Sequence, residues 1–252
     1  MFELTEEWLW KYYGSTVEGQ VGQTKYWLIK YGKDVPPDKY DLWSKYKHLS
    51  EYQVNTPDIV DQCLAAIGQK FETELEAHKF VNQLRVPLSK SYEEAIRYIE
   101  PKYILELGVG GDSAISTATF LWWAEKVGGV LFSVDHNPLS KTWHRYEKYH
   151  GKNWIFRQSD SLVILRAMKG EGMKVDVVFI DTSHSYENTI VELQQAFGIS
   201  KFVLLDDALF EGNPDDREPG GVKRAIKEWR KKRPDQVCIE FWGGGVVLLC
   251  EV

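Results

Sequence analysis

Two short stretches concentrate the residues best suited to chemistry. Phe179-Ile180-Asp181-Thr182-Ser183-His184 and Leu204-Leu205-Asp206-Asp207 each set acids at the end of an apolar run. If both runs are neighbouring strands of an open α/β sheet, their carboxyl ends face one crevice, and Asp181, Asp206 and Asp207 converge there. Carboxylates that close together repel unless protons or a cation neutralise them. Hard oxygen donors select Mg²⁺, with Mn²⁺ as a substitute, and water or substrate oxygens complete its six positions. His184, three residues past Asp181, falls at the start of the next helix. An imidazole with an ordinary pKa near 6.5 takes a proton from a hydroxyl at neutral pH. The plainer alternative stays open: His184 as a polar residue at a helix start, and the acidic pair as a solvated loop. No Cys/His cluster has zinc spacing.

A second constellation lies upstream. Ile104-Leu-Glu106-Leu-Gly108-Val-Gly110-Gly111-Asp112-Ser113 runs from an apolar stretch into a helical one. Glycines at such a junction permit a sharp turn and let a ligand approach the helix N-terminus. Ser113 replaces the third glycine of the dinucleotide fingerprint. Val134-Asp135 ends the next run, where a carboxylate suits the two hydroxyls of a ribose. Ser159-Asp160-Ser161 follows the third, with Asp160 placed either to cap a helix or to accept from an adenine amine.

These residues need a scaffold that brings chain ends together, and the hydrophobic pattern supplies one. Apolar runs at 103–107, 130–134, 154–158, 175–180 and 201–205 alternate with stretches long enough for crossover helices, as in a doubly wound parallel sheet. VDVVFI at 175–180 and FVLL at 202–205 carry apolar residues on both faces, as strands covered on both sides require. Two last runs, 236–241 and 246–250, are separated only by Trp242-Gly243-Gly244-Gly245, too short for a helix, so they form an antiparallel hairpin. The expected fold is α/β: a doubly wound, Rossmann-like, seven-stranded sheet whose last strand is antiparallel, with an N-terminal helical and aromatic extension. Its parts are an extension over 1–55, a helical segment over 56–100 packing on the core, and the ligand-binding domain over 101–252. Thr56-Pro57 opens a helical pattern through Ile59, Cys63, Ile67, Phe71 and Leu75, which Pro87 closes; a further helix spans 91–99.

Composition limits the partners. The chain has 252 residues, 43% hydrophobic and 27% charged, with a net charge of −6, so a phosphate-gripping nucleic-acid binder is disfavoured. It lacks an apolar run of bilayer length, and Met1-Phe2-Glu3-Leu4-Thr5-Glu6-Glu7 is too acidic for a signal peptide. Three cysteines make no disulfide framework. A cytoplasmic protein without membrane or nucleic-acid partners is expected, with a homo-oligomer left open.

From about Leu88 onward the chain resembles class I S-adenosylmethionine-dependent methyltransferases: Glu106-Leu-Gly108-Val-Gly110 is similar to their first motif, Asp135 to the second and Asp160 to the third. The terminal hairpin matches the antiparallel seventh strand of that fold. Asp181-x-x-His184 with Asp206-Asp207 resembles the metal-dependent O-methyltransferases of macrolide sugars, near the cephalosporin hydroxylase group, although their pair begins with Glu. The resemblance implies a cofactor site of Glu106, Gly108, Gly110, Ser113, Asp135, Asp160, Ser161 and Asp181. It implies Mg²⁺ or Mn²⁺ on Asp181, Asp206 and Asp207, and His184 as base. The implied reaction moves a methyl group from S-adenosylmethionine to a hydroxyl of a small molecule such as a sugar, polyketide glycoside or catechol. Two rivals remain: an NAD-linked oxidoreductase and a non-catalytic nucleoside-binding module.

The other features have bland readings. Lys223 to Arg233 crowd a helix whose basic residues suit a solvated face and its C-terminal dipole better than a polyanion site. Residues 210–221 serve equally as a flap over the substrate or a surface connection. The 12 aromatics in the first 52 residues form a substrate lid, a dimer contact or an extra core layer. Cys238 and Cys250, symmetric about Gly244, are expected opposite each other in the hairpin, as reduced thiols.

Overall fold

All seven apolar runs are strands in the computed structural model of the chain, which describes residues 1–13, 62–85, 89–109, 114–138, 145–208, 220–241 and 245–251. The chain divides into two compact units, Met1–Arg85 and Val86–Val252, and all seven of those strands belong to the second.

The first unit holds β1 (Phe2–Glu3), α1 (Glu6–Tyr13), β2 (Lys70–Phe71) and α2 (Glu74–Arg85), with β1 and β2 paired antiparallel. Thr5 Oγ1 accepts from Trp8 N and Thr73 Oγ1 from Glu76 N, so a threonine caps each helix. Trp8, Leu9 and Tyr13 are buried with Cys63, Ala66, Phe71, Ala77 and Val81. Trp8 Nε1 donates to Glu74 Oε1 at 2.8 Å, and Tyr13 Oη lies 2.9 Å from His78 Nδ1. Within residues 1–13 the aromatics therefore form core. Residues 14–61, which include most of the aromatic segment and the helix start at Thr56-Pro57, lie outside the described residues, as does Pro87.

One expectation fails here. The four-residue spacing from Ile59 to Leu75 suggests a single long helix, yet 62–65 is helical, 66–68 turns, and Lys70–Phe71 is a strand before α2 begins. Gly68, at φ +89°, lets the chain turn back so that Leu4 N donates to the Gln69 carbonyl and Gly68 N to the Leu4 carbonyl. Strand pairing with Phe2 and Glu3 outcompetes continued helix.

The second unit is α3 (Lys90–Ile99), β3 (Tyr103–Leu107), α4 (Ile115–Val127), β4 (Val130–Asp135), β5 (Trp154–Gln158), α5 (Ser161–Gly170), β6 (Val177–Ile180), α6 (Tyr186–Ala196), β7 (Phe202–Leu205), α7 (Gly221–Lys232), β8 (Val237–Phe241) and β9 (Val246–Cys250). Helix α3, grouped by sequence with the segment before the sheet, falls in this unit. Sheet order is β5-β4-β3-β6-β7-β9-β8. The first five strands run parallel, and β9 is antiparallel to both neighbours, the one reversed member. The order reverses between β3 and β6, and the crevice beyond their carboxyl ends is where open α/β sheets bind ligands. All of β6 and β9 is buried, in keeping with helices on both faces. Helix α7 buries Val222, Ala225, Ile226 and Trp229, while Arg230, Lys231 and Lys232 are exposed in its last turn, as the solvated-face reading expects.

The hairpin register corrects another expectation. Cys238 pairs with Leu249 and Val237 with Cys250, because Phe241 pairs with Val246 across an even number of residues. The two cysteines are thus offset by one, point to opposite faces, and are free thiols. Among the described residues no helix is long and apolar enough to cross a membrane.

Candidate active site

A cavity of about 530 Å³ opens at the carboxyl ends of β3, β4, β5 and β6, within the size range of small-molecule sites. Gly108, Asp135, Asp160, Ser161, Asp181 and His184 are among its lining residues. Gly108 is indispensable to its floor: at φ +83° a Cβ there would lie 1.7 Å from the Asp181 carbonyl oxygen. Gly110 and Ser113, expected beside it, lie outside the described residues.

The acids on the first strands are held by the backbone. Asp135 Oδ2 accepts from Val109 N at 3.0 Å and Oδ1 from Asn137 N at 2.8 Å, which fixes the carboxylate where the glycine turn leaves β3. Asp160 caps α5, its Oδ1 accepting from Leu162 N and Val163 N. Oδ2 is not used by the cap. Ser161 Oγ donates to Glu192 Oε1, and Thr182 Oγ1 donates to Glu192 Oε2 at 2.8 Å, so a buried glutamate of α6 ties together two walls of the cavity. Burial pushes the Glu192 carboxyl above its ordinary range. Sequence reading missed Glu192, whose position within an amphipathic helix carries no signal.

Glu106 departs from expectation, for it does not line this cavity. Its side chain is completely buried beneath the glycine turn and accepts from Ser116 Oγ, Thr117 Oγ1 and Ser133 Oγ at 2.6–3.0 Å. Those hydroxyls anchor the first turn of α4 and strand β4 to β3. Burial pushes the Glu106 carboxyl up to about 7 despite the three donors. The reason is the pleat: Glu106 points to the face that α4 covers.

Asp181 and Asp206 follow directly on the paired residues Ile180 and Leu205, and Asp206 N donates to the Ile180 carbonyl, so the two carboxylates leave adjacent strand ends on one face. Asp206 is 8% exposed. Its Oδ2 accepts from the Tyr92 hydroxyl at 2.8 Å, Oδ1 is buried with no partner in hydrogen-bonding geometry, and the Asp207 backbone N–H also favours the charged form. Burial, then the charges of Asp181 and Asp207, push its carboxyl up to about 7. Burial also raises Asp207. His184 Nε2 lies 3.0 Å from Asp181 Oδ1 and 3.7 Å from Asp207 Oδ2. The hydrogen bond to Asp181 holds the imidazole above its ordinary pKa, although burial opposes. His184 and Asp207 both adopt left-handed backbone, at φ +55° and +49°, conformations that cost about 1–3 kcal/mol each and cluster at functional sites. Gly221 supports the first of them. A Cβ there would lie 2.3 Å from the His184 carbonyl oxygen, so α7 starts hard against the His184 backbone.

The donor set suits a hard cation: three carboxylates on neighbouring strand ends, one with a buried unpartnered oxygen. Its placement differs from the expected sharing of one ion. Among the described residues no group of three or more His, Cys, Asp or Glu is placed so that it could hold a metal ion, and the His184 imidazole lies within reach of both Asp181 and Asp207. No lysine or arginine pairs with these carboxylates among the described residues; Asp206 and Asp207 stand outside the cavity walls.

No family model and no curated protein matches this chain. Solved structures do. It is similar to the SAH-bound methyltransferase PaMTH1 of Podospora anserina (TM-score 0.52, 15% identity, 80% of this chain and 97% of that one). An O-methyltransferase of Bacillus cereus in complex with SAH gives 0.52 and 17%, covering 78% and 99%. The O-methyltransferase TomG of Streptomyces achromogenes, involved in tomaymycin synthesis and solved with SAM, gives 0.51 and 18%, covering 79% and 98%. The chain has the fold of these methyltransferases.

Proposed function

We propose that the protein transfers a methyl group from S-adenosylmethionine to a hydroxyl of a small molecule, with Mg²⁺ at the Asp181, Asp206 and Asp207 carboxylates. One observation carries this reading: a cavity of small-molecule size is lined by Asp135, Asp160 and the Asp181–His184 pair together. SAM- and SAH-bound neighbours of the same fold support it.

In this reading Asp135 accepts from the ribose hydroxyls with the lone pairs that Val109 and Asn137 leave free. Asp160 Oδ2 accepts from the adenine amine, and Gly108 lets the thioether end pass close to the backbone. The acceptor oxygen forms a bond to the methyl carbon as the sulfur–methyl bond breaks in line, and sulfur leaves as a neutral thioether. Alignment of that kind supplies about 7–11 kcal/mol of the barrier. Asp181, Asp206 and Asp207 would hold Mg²⁺, which would lower the pKa of the acceptor hydroxyl. His184, oriented by Asp181, would accept the hydroxyl proton at its imidazole. A vicinal diol or catechol, with two adjacent oxygens, suits this arrangement best.

The test is an S-adenosylmethionine assay against a panel of sugars, glycosides and catechols, read as S-adenosylhomocysteine formed. Product is expected with Mg²⁺, none in EDTA, and none with His184→Ala although S-adenosylhomocysteine still binds. Binding of NAD in place of S-adenosylhomocysteine would turn the reading toward an oxidoreductase. Full turnover in EDTA would remove the metal.

A further inference from the structure

We propose that Tyr92 is the positioning residue for Asp206: its hydroxyl occupies Oδ2 and leaves Oδ1 to meet a divalent cation. This rests on the metal reading above and assigns a residue to it that lies 114 positions away in the chain.

Tyr92 stands in the first turn of α3, 7% exposed. Its ring is wedged edge-on between Phe120 and Phe179, with centroids 6.0 and 5.5 Å away, and those two rings pack edge to face at 4.9 Å. Phe179 lies two residues before Asp181 on β6, so the same strand that sends out one acid fixes the ring that steers the other. The hydroxyl consequently has a set direction, and it donates to Asp206 Oδ2 at 2.8 Å.

That bond has two consequences. It holds the Asp206 carboxyl in one orientation, where a carboxylate between two others would otherwise turn away from them. It also leaves Oδ1 buried and unpartnered, and a buried acceptor without a partner is destabilising. A structural role would be better served by a second donor, as Glu106 has. An oxygen kept dry and free beside two like charges is suited to a cation.

The test is Mn²⁺ binding to wild type and Tyr92→Phe, read from free Mn²⁺ by electron paramagnetic resonance, with S-adenosylhomocysteine affinity and thermal unfolding measured alongside. Phenylalanine keeps the ring packing and removes only the donor. Mn²⁺ affinity is expected to fall on the order of tenfold or more, as for other groups that orient metal ligands, with S-adenosylhomocysteine affinity unchanged. Equal Mn²⁺ affinity in both proteins overturns the role of Tyr92 and leaves the metal reading standing. Loss of S-adenosylhomocysteine binding in the variant also overturns it, since the hydroxyl would then hold the fold. A wild type that binds no Mn²⁺ overturns both.

Discussion

Glu106 and Asp206 are both buried carboxyls pushed up to about 7, and they arrive there by different routes. Glu106 stands among three hydroxyl donors, and burial is the main cause that raises it, with the Asp181 charge the last and smallest. Asp206 has one phenolic donor, an unpartnered oxygen, and two acids whose charges add to the effect of burial. The contrast extends to their surroundings. On the β3–β5 side Glu106, Asp135 and Asp160 each accept from at least two backbone or hydroxyl donors. On the β6–β7 side Asp181 and Asp207 both approach His184, and His184 and Asp207 adopt left-handed backbone. Burial cannot be relieved by a ligand, whereas like charge is relieved by a cation. One half of the crevice is therefore a rigid cradle and the other an incomplete site.

Gly108 joins the two halves, so its replacement should break both. Gly108→Ala forces a Cβ into the Asp181 carbonyl and puts alanine at positive φ. A loss on the order of 3 kcal/mol in stability is expected from strain and overpacking, with S-adenosylhomocysteine and Mn²⁺ binding both lost in calorimetry. Asp206→Asn against Glu106→Gln separates the halves. The first should weaken Mn²⁺ on the order of a hundredfold and leave S-adenosylhomocysteine binding intact; the second should leave Mn²⁺ binding unchanged. Matching Mn²⁺ losses in the two variants would erase the distinction. The smallest effect belongs to Asp160→Ala, which removes a helix cap worth about 1 kcal/mol. It should lower the unfolding free energy by that amount without touching Mn²⁺ affinity.

The strands of the second unit were legible because a parallel sheet buries both faces, leaving unbroken apolar runs such as Val177–Ile180. The hairpin was legible from the length of its connection alone. Gly108 and Asp135 likewise stood at strand ends that any such sheet brings together. What failed depended on contacts distant in sequence. The helix drawn through Phe71 kept its period by coincidence, and only pairing with Phe2 revealed a strand. Glu106 was placed on the right strand, but which face it took depended on Ser116, Thr117 and Ser133; polar residues in otherwise apolar elements were the available clue. Tyr92 offered none, since an aromatic in a helix first turn reads as core until Asp206 is seen across from it.

Thermal unfolding from pH 4 to 9, with and without Mg²⁺, tests the division most directly. Glu106 and Asp206 hold their protons more tightly folded than unfolded, with values near 7 against the ordinary 4.5 and 3.8. The folded state thus binds extra protons between about pH 4 and 7, and stability falls as pH rises through that window. The account predicts that at pH 8 Mg²⁺ recovers part of the loss in wild type and in Glu106→Gln, and none in Asp206→Asn. Superimposable curves with and without Mg²⁺ for wild type at pH 8 would contradict it.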